Sequence, residues 1–120
     1  MNKNQRTAIA GIILALSNNT QVKSTYSYEL ASYVALSGNT DNGNVNVYDH
    51  SRSCYITGNS NDGKQYSLYD YGTSRYISLT IDAKKVNGYD YASGYHYSAS
   101  VSGNSVSIYD YESGRYYSYS

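Results

Sequence analysis

A pair of residues, Tyr-Asp, returns through this chain at a nearly fixed interval, and that interval limits the fold more than any other feature. It stands at Tyr48-Asp49, Tyr69-Asp70, Tyr89-Asp90 and Tyr109-Asp110, at spacings of 21, 20 and 20 residues. A repeat of this length is one supersecondary unit that cannot bury its apolar face alone, so copies must pack on one another. Stepping back 20 residues from Tyr48 reaches Tyr28, with Glu29 in the place of Asp, and makes "YELASYVALS" a shortened first copy. Five units then account for nearly everything after the N-terminal segment.

Within each unit the pattern has the period of a strand. The positions three and one before the Tyr are Val45 and Val47, Tyr66 and Leu68, Val86 and Gly88, and Val106 and Ile108. Eight residues after it come Ile56, Ile77, Tyr97 and Tyr117. Alternation places these on one face, with the Asp beside them as the strand runs out. Tyr48, Tyr69, Tyr89 and Tyr109 fall on the opposite face, joined two residues later by Tyr71, Tyr91 and Tyr111. The turn segments "DHSRS", "DYGTS", "DYASG" and "DYESG" close each hairpin, and Gly-, Asn- and Ser-rich stretches connect successive units. The expectation is an all-β antiparallel meander of five β-hairpin repeats, or about ten strands, over residues 18–120. Barrel, sandwich and solenoid-like arrangements all satisfy the period.

Composition agrees with strands. The chain of 120 residues holds 18 Tyr and no Phe, Trp or Pro. Tyrosine suits a half-buried pleated surface, and the absence of Pro fits strands whose N–H groups are all needed. Lys and Arg balance Asp and Glu at 9 each. No concentrated basic surface exists for phosphates, which argues against nucleic acid and anionic membranes as partners. Cys54 is the only cysteine, so its readings are a small buried residue or a link between two copies.

The N-terminal segment, residues 1–17, has two readings. Lys3 and Arg6 precede an apolar run from Ala8 to Leu16, and Ala15 and Ser17 are small residues one position apart, the pattern of a secretory signal peptide. The run is too short to span a bilayer, so an integral membrane protein is not expected. Alternatively Ile9, Ile12, Ile13 and Leu16 form the stripe of a retained amphipathic helix. The first reading implies a secreted or extracytoplasmic protein.

Asp49, Asp70, Asp90 and Asp110 have a local explanation. At the mouth of a turn a carboxylate accepts backbone N–H groups of the loop, with Arg75 or Arg115 across the hairpin as candidate partners. No catalytic motif accompanies them. Asp49, His50 and Cys54 lack the paired spacing of metal ligands, and no cofactor fingerprint is present. The informative residues recur in every unit, whereas an enzyme has one special site. Recurrence points to a scaffold or a multivalent binder. Tyrosine with Ser, Gly and Asn is the palette of non-catalytic binding surfaces, because the ring gives contact area at low entropic cost. Tyr48, Tyr69, Tyr71, Tyr89, Tyr91, Tyr109 and Tyr111 are therefore the candidate ligand-binding residues, for a carbohydrate or cell-wall polymer, with avidity if several sites engage together. The competing expectation is self-assembly into a fibre or matrix through unguarded sheet edges.

Two local resemblances accompany the repeat. The 20-residue spacing and "SGRYYSYS" are similar to the choline- or glucan-binding cell-wall repeats, whose tryptophan is absent here. The unit "YDYESGR" resembles the YD repeats of large bacterial shell-forming proteins, although here three residues separate Asp110 from Gly114 rather than two.

Overall fold

The computed structural model describes residues 1–120. One helix, α1 (Lys3–Asn18), precedes eleven strands: β1 (Thr25–Ser27), β2 (Ser32–Val34), β3 (Leu36–Asn39), β4 (Asn44–Asp49), β5 (Cys54–Asn59), β6 (Gln65–Asp70), β7 (Arg75–Asp82), β8 (Lys85–Asp90), β9 (Tyr95–Ser102), β10 (Ser105–Asp110) and β11 (Arg115–Tyr119). They form one antiparallel sheet in the order β2-β1-β11-β10-β9-β8-β7-β6-β5-β4-β3. This is the expected meander of hairpins, and its arrangement is a nearly closed barrel. Closure comes from the stretch 32–39. Val34 and Leu36 both point inward with the exposed Ala35 between them, so β2 and β3 run on as one extended segment. Its first half pairs with β1 and its second half with β4, and β1 pairs in turn with β11.

The inward face carries Val45, Val47, Ile56, Leu68, Ile77, Leu79, Val86, Val106 and Ile108, all buried as alternation requires. The N-terminal segment supplies seven of the 25 residues of the core, from Met1 to Ala15. Helix α1 is capped by the Asn2 side chain, which accepts from the Gln5 N–H at 2.7 Å, and it ends at Asn19 in the left-handed region. Its buried residues are not confined to a stripe. Ala8 and Ala10 are as inaccessible as Ile9, Ile12 and Ile13, and Ala15 is nearly so. A helix hydrophobic all round is one that other elements surround, and here the sheet wraps it. The small residues permit the fit: a side chain at Gly11 would meet Leu36 and Thr25.

The first repeat differs in register from the expectation. Tyr26, not Tyr28, lies opposite Tyr33, the relationship that Tyr48 has to Tyr55. Aligned on the structure, "YSYELASY" matches "YDYESGRY", so the copy is complete and Ser27 takes the Asp position. The connection before the second copy is two residues longer than a strict 20-residue step allows, which displaced the alignment. The five hairpin turns then coincide: Ala31, Ser53, Ser74, Gly94 and Gly114 all occupy the same place with φ between 53° and 77°.

Candidate functional site

The outer face of the barrel carries a repeated aromatic cluster. In the third unit Tyr69 lies between Tyr71, two residues on, and Tyr76, directly across the hairpin, with ring centroids at 4.8 and 4.9 Å and edge-to-face geometry. The same triad forms at Tyr109 with Tyr111 and Tyr116, and at Tyr26 with Tyr28 and Tyr33. At Tyr89 the partners are Tyr91 and His96, and at Tyr48 they are His50 and Tyr55. The two histidines thus occupy tyrosine columns. Edge-to-face pairs contribute about 0.5–1.5 kcal/mol beyond area burial, which orients the rings without hiding them.

The central rings Tyr48, Tyr69, Tyr89 and Tyr109 are partly buried by their neighbours. Tyr71, Tyr91 and Tyr111 are 57%, 55% and 54% exposed. Equally open rings at Tyr28, Tyr33, Tyr55, Tyr76 and Tyr116 belong to the same clusters but were not among the candidates from sequence. Their signal was present, since Tyr55, Tyr76 and Tyr116 also recur by repeat; only strand pairing reveals that this column meets the other two.

A second missed column separates the triads. Opposite the central tyrosines on the preceding strand lie Ser37, Thr57, Ser78 and Ser98. Ser120 takes this place for Tyr26, its N–H and carbonyl each bonding Tyr26 at 3.0 and 2.7 Å. Small hydroxyl residues leave grooves beside the rings. One groove of about 660 Å³ is lined by Thr57, Asn59, Ser67, Tyr69, Tyr71 and Tyr76. Another of about 490 Å³ lies against Asn87, Tyr95, His96 and Tyr111. A third groove, beside Tyr109 and Tyr116, is lined by Asn87, Ser98, Ser100, Ser107 and Lys85.

The four aspartates point the other way, into the barrel end around the start of α1, and all are buried. One oxygen of each accepts the backbone N–H two residues on: Ser51 at 3.0 Å, Gly72 at 2.8 Å, Ala92 at 3.2 Å and Glu112 at 3.0 Å. The second oxygens of Asp49, Asp70 and Asp110 bond cations, whereas that of Asp90 has no hydrogen-bond partner and lies 3.9 Å from the Met1 ammonium. Arg52 bridges Asp49 at 2.7 Å and Asp70 at 2.9 Å, while Arg6 reaches Asp110 at 2.9 Å and Glu29 at 2.8 Å. The α-ammonium of Met1 lies 3.1 Å from Asp110 and 2.7 Å from Glu112, and Gln5 donates to Asp70 at 3.0 Å. Burial alone would pull the Arg52 guanidinium down, but hydrogen bonding to Asp49 and the charge of Asp70 outweigh it and raise its pKa. Arg75 and Arg115, the partners expected from sequence, lie opposite Asp70 and Asp110 in register but remain in solvent and form no ion pair. A carboxylate turned into a dry lumen needs a counterion that is also inside.

Asp49 and Cys54 lie inside the barrel and His50 outside, so these three residues do not converge. The Cys54 thiol sits 3.9 Å from Asp70, and burial pushes its pKa up, away from a reactive thiolate. No helix is long and apolar enough to cross a membrane. Comparison with known proteins yields no match to a protein-family model, a curated protein or a solved structure. The two local resemblances therefore rest on their short motifs alone.

Proposed function

We propose that this is a non-catalytic binding protein that holds a neutral carbohydrate or cell-wall polymer on its tyrosine belt. The observation that carries the reading is the fivefold recurrence of an exposed aromatic cluster, with hydroxyl-lined grooves beside those at Tyr69 and Tyr109. Sugars present apolar C–H faces to stack on rings and hydroxyls to pair with Ser, Thr and Asn. The grooves at Tyr69 and His96 contain no Asp, Glu, Lys or Arg, and the groove at Tyr109 and Tyr116 holds one charged residue, Lys85, which together favour a ligand recognised by stacking and hydrogen bonds rather than by its charge. An extracytoplasmic location belongs to the same proposal, on the charged start at Lys3 and Arg6 and the apolar run that follows, but with the segment retained, because Ile9, Ile12 and Ile13 fill the barrel and Arg6 pairs with Asp110. Its test is the location and intact mass of the protein in the producing cell.

The binding test is a screen of glycans and cell-wall polymers against the full chain, with light scattering on the same sample. Saturable binding that weakens when Tyr71, Tyr91 and Tyr111 become Ser, with unfolding still cooperative, is the expected result. If the triple variant binds as well as the parent, the belt is not the site. Self-assembly through sheet edges has less support, because the free edges belong only to β2 and β3, of three and four residues. Growth in size with concentration in the absence of ligand would favour it.

A further inference from the structure

Resting on the carbohydrate reading above, we infer that the belt cross-links separate polysaccharide chains rather than gripping one chain at several points. The inference comes from closure of the sheet. The triad hairpins follow one another around the barrel: β1 with β2, β4 with β5, β6 with β7, β8 with β9, and β10 with β11, which returns to β1. Each triad is therefore turned by about a fifth of a circle from the next. Every unit has an open ring, from Tyr33 and Tyr55 through Tyr76 and Tyr91 to Tyr116. A flat polymer surface touches one triad, or two neighbours at their margins, and leaves the others facing away.

Linear repeats gain avidity because their sites share a direction; sites that cannot engage together gain none. Radial sites instead join whatever they hold. With overall dimensions of 32 × 28 × 26 Å, triads on opposite sides lie far enough apart to hold two chains without a clash between them. The occupant is an uncharged polyhydroxylated polymer, since ring walls with Thr57, Asn59 and Ser67 offer stacking and hydrogen bonds without counter-charge, and the groove at Tyr109 adds only Lys85 to the same hydroxyl and amide lining.

The test uses hydroxyethylcellulose and dextran, each as a long polymer and as short oligosaccharides, with the full-length protein. Binding of oligosaccharides is followed by NMR shifts of the tyrosine rings, and cross-linking by light scattering as the protein-to-polymer ratio rises. Cross-linking predicts scattering at least tenfold above the separate components, passing through a maximum and falling in excess protein, and reversed by oligosaccharide. A variant whose open rings are only those of the Tyr109, Tyr111 and Tyr116 triad, with Tyr28, Tyr33, Tyr55, Tyr71, Tyr76, Tyr91 and Tyr95 changed to Ser and His50 and His96 to Ala, should bind oligosaccharide and lose the scattering. Binding of oligosaccharides with no growth on the long polymer overturns the cross-linking and leaves the carbohydrate reading standing. No binding of either probe overturns both.

Discussion

Gly88 and Tyr97 face each other across the β8–β9 ladder, and each occupies the space the other leaves. Tyr97 is fully buried and donates its hydroxyl to the Ser78 carbonyl at 2.9 Å; a Cβ on Gly88 would collide with its ring and with the Ser78 carbonyl itself. In sister units the same two positions hold Val47 with Ile56 and Leu68 with Ile77. Gly88→Leu alone should destabilise the barrel by about 1–3 kcal/mol through overpacking. Adding Tyr97→Ile removes the ring clash but not the contact with the Ser78 carbonyl, and should recover part of that loss. Urea unfolding of both single variants and the double variant gives the coupling energy, expected above about 0.5 kcal/mol. Strict additivity would show that the two residues do not compensate.

Arg52 should matter far more than Arg75, although both look like turn arginines in the sequence. Removing Arg52 strands Asp49 and Asp70, both buried, and breaking a buried pair from one side costs about 3–5 kcal/mol. Arg75 is exposed, where substitutions stay within about 0.5 kcal/mol. Chemical denaturation of Arg52→Ala and Arg75→Ala makes the comparison, and equal midpoints would contradict the buried bridge.

The contrast shows what the chain discloses without a structure. Strand period and the Tyr-Asp interval disclose the hairpins, the aliphatic inward columns and the outward tyrosines, because alternation and turns are local rules. The counterions of the aspartates are not local. Arg6 and Asp110 are 104 residues apart, and nothing in the repeat says that a helix delivers one to the other. The helix itself was legible as an apolar stripe, but Ala8, Ala10 and Gly11 report burial on every side only once something encloses them. Barrel closure depends on one strand, 32–39, dividing its hydrogen bonds between two neighbours, and sequence carries no mark of that choice. The tyrosine columns were visible singly; their meeting in triads needed the cross-strand register.

Alkaline pH should unfold the protein through its interior phenols, Tyr97 and Tyr119 above all, with Tyr66 raised in the same direction by burial. Burial pushes the Tyr119 hydroxyl up to about 12, partly relieved by Arg6, and pushes that of Tyr97 higher still. An unfolded tyrosine ionises near pH 10. Above that pH the unfolded chain has released protons that the folded chain retains, so stability is intact below about pH 10 and falls as pH rises toward 12. Urea midpoints measured from pH 8 to 11.5 should decline over the upper part of this range. Tyr97→Phe and Tyr119→Phe together remove both ionisations and should flatten the decline, even if they lower the starting stability by about 1 kcal/mol each through lost hydrogen bonds. A decline of the same slope in the double variant would place its origin in other groups.

The sheet should depend on α1 for its core. Ile9, Ile12 and Ile13 are wholly inaccessible and belong to the same apolar cluster as Val47, Leu68 and Ile108. A barrel without the helix would expose those strand residues to an empty or water-filled lumen and leave Asp110 without Arg6. Ile13→Ala should therefore cost about 2–5 kcal/mol, the range for a buried aliphatic side chain whose surroundings cannot collapse. Residues 18–120 expressed alone should show no cooperative thermal transition, and a peptide of residues 1–18 added in trans should restore it. The restoration separates a missing core from a chain damaged by truncation. If residues 18–120 unfold cooperatively at the same temperature as the full chain, the strands hold the barrel by themselves and α1 only fills it.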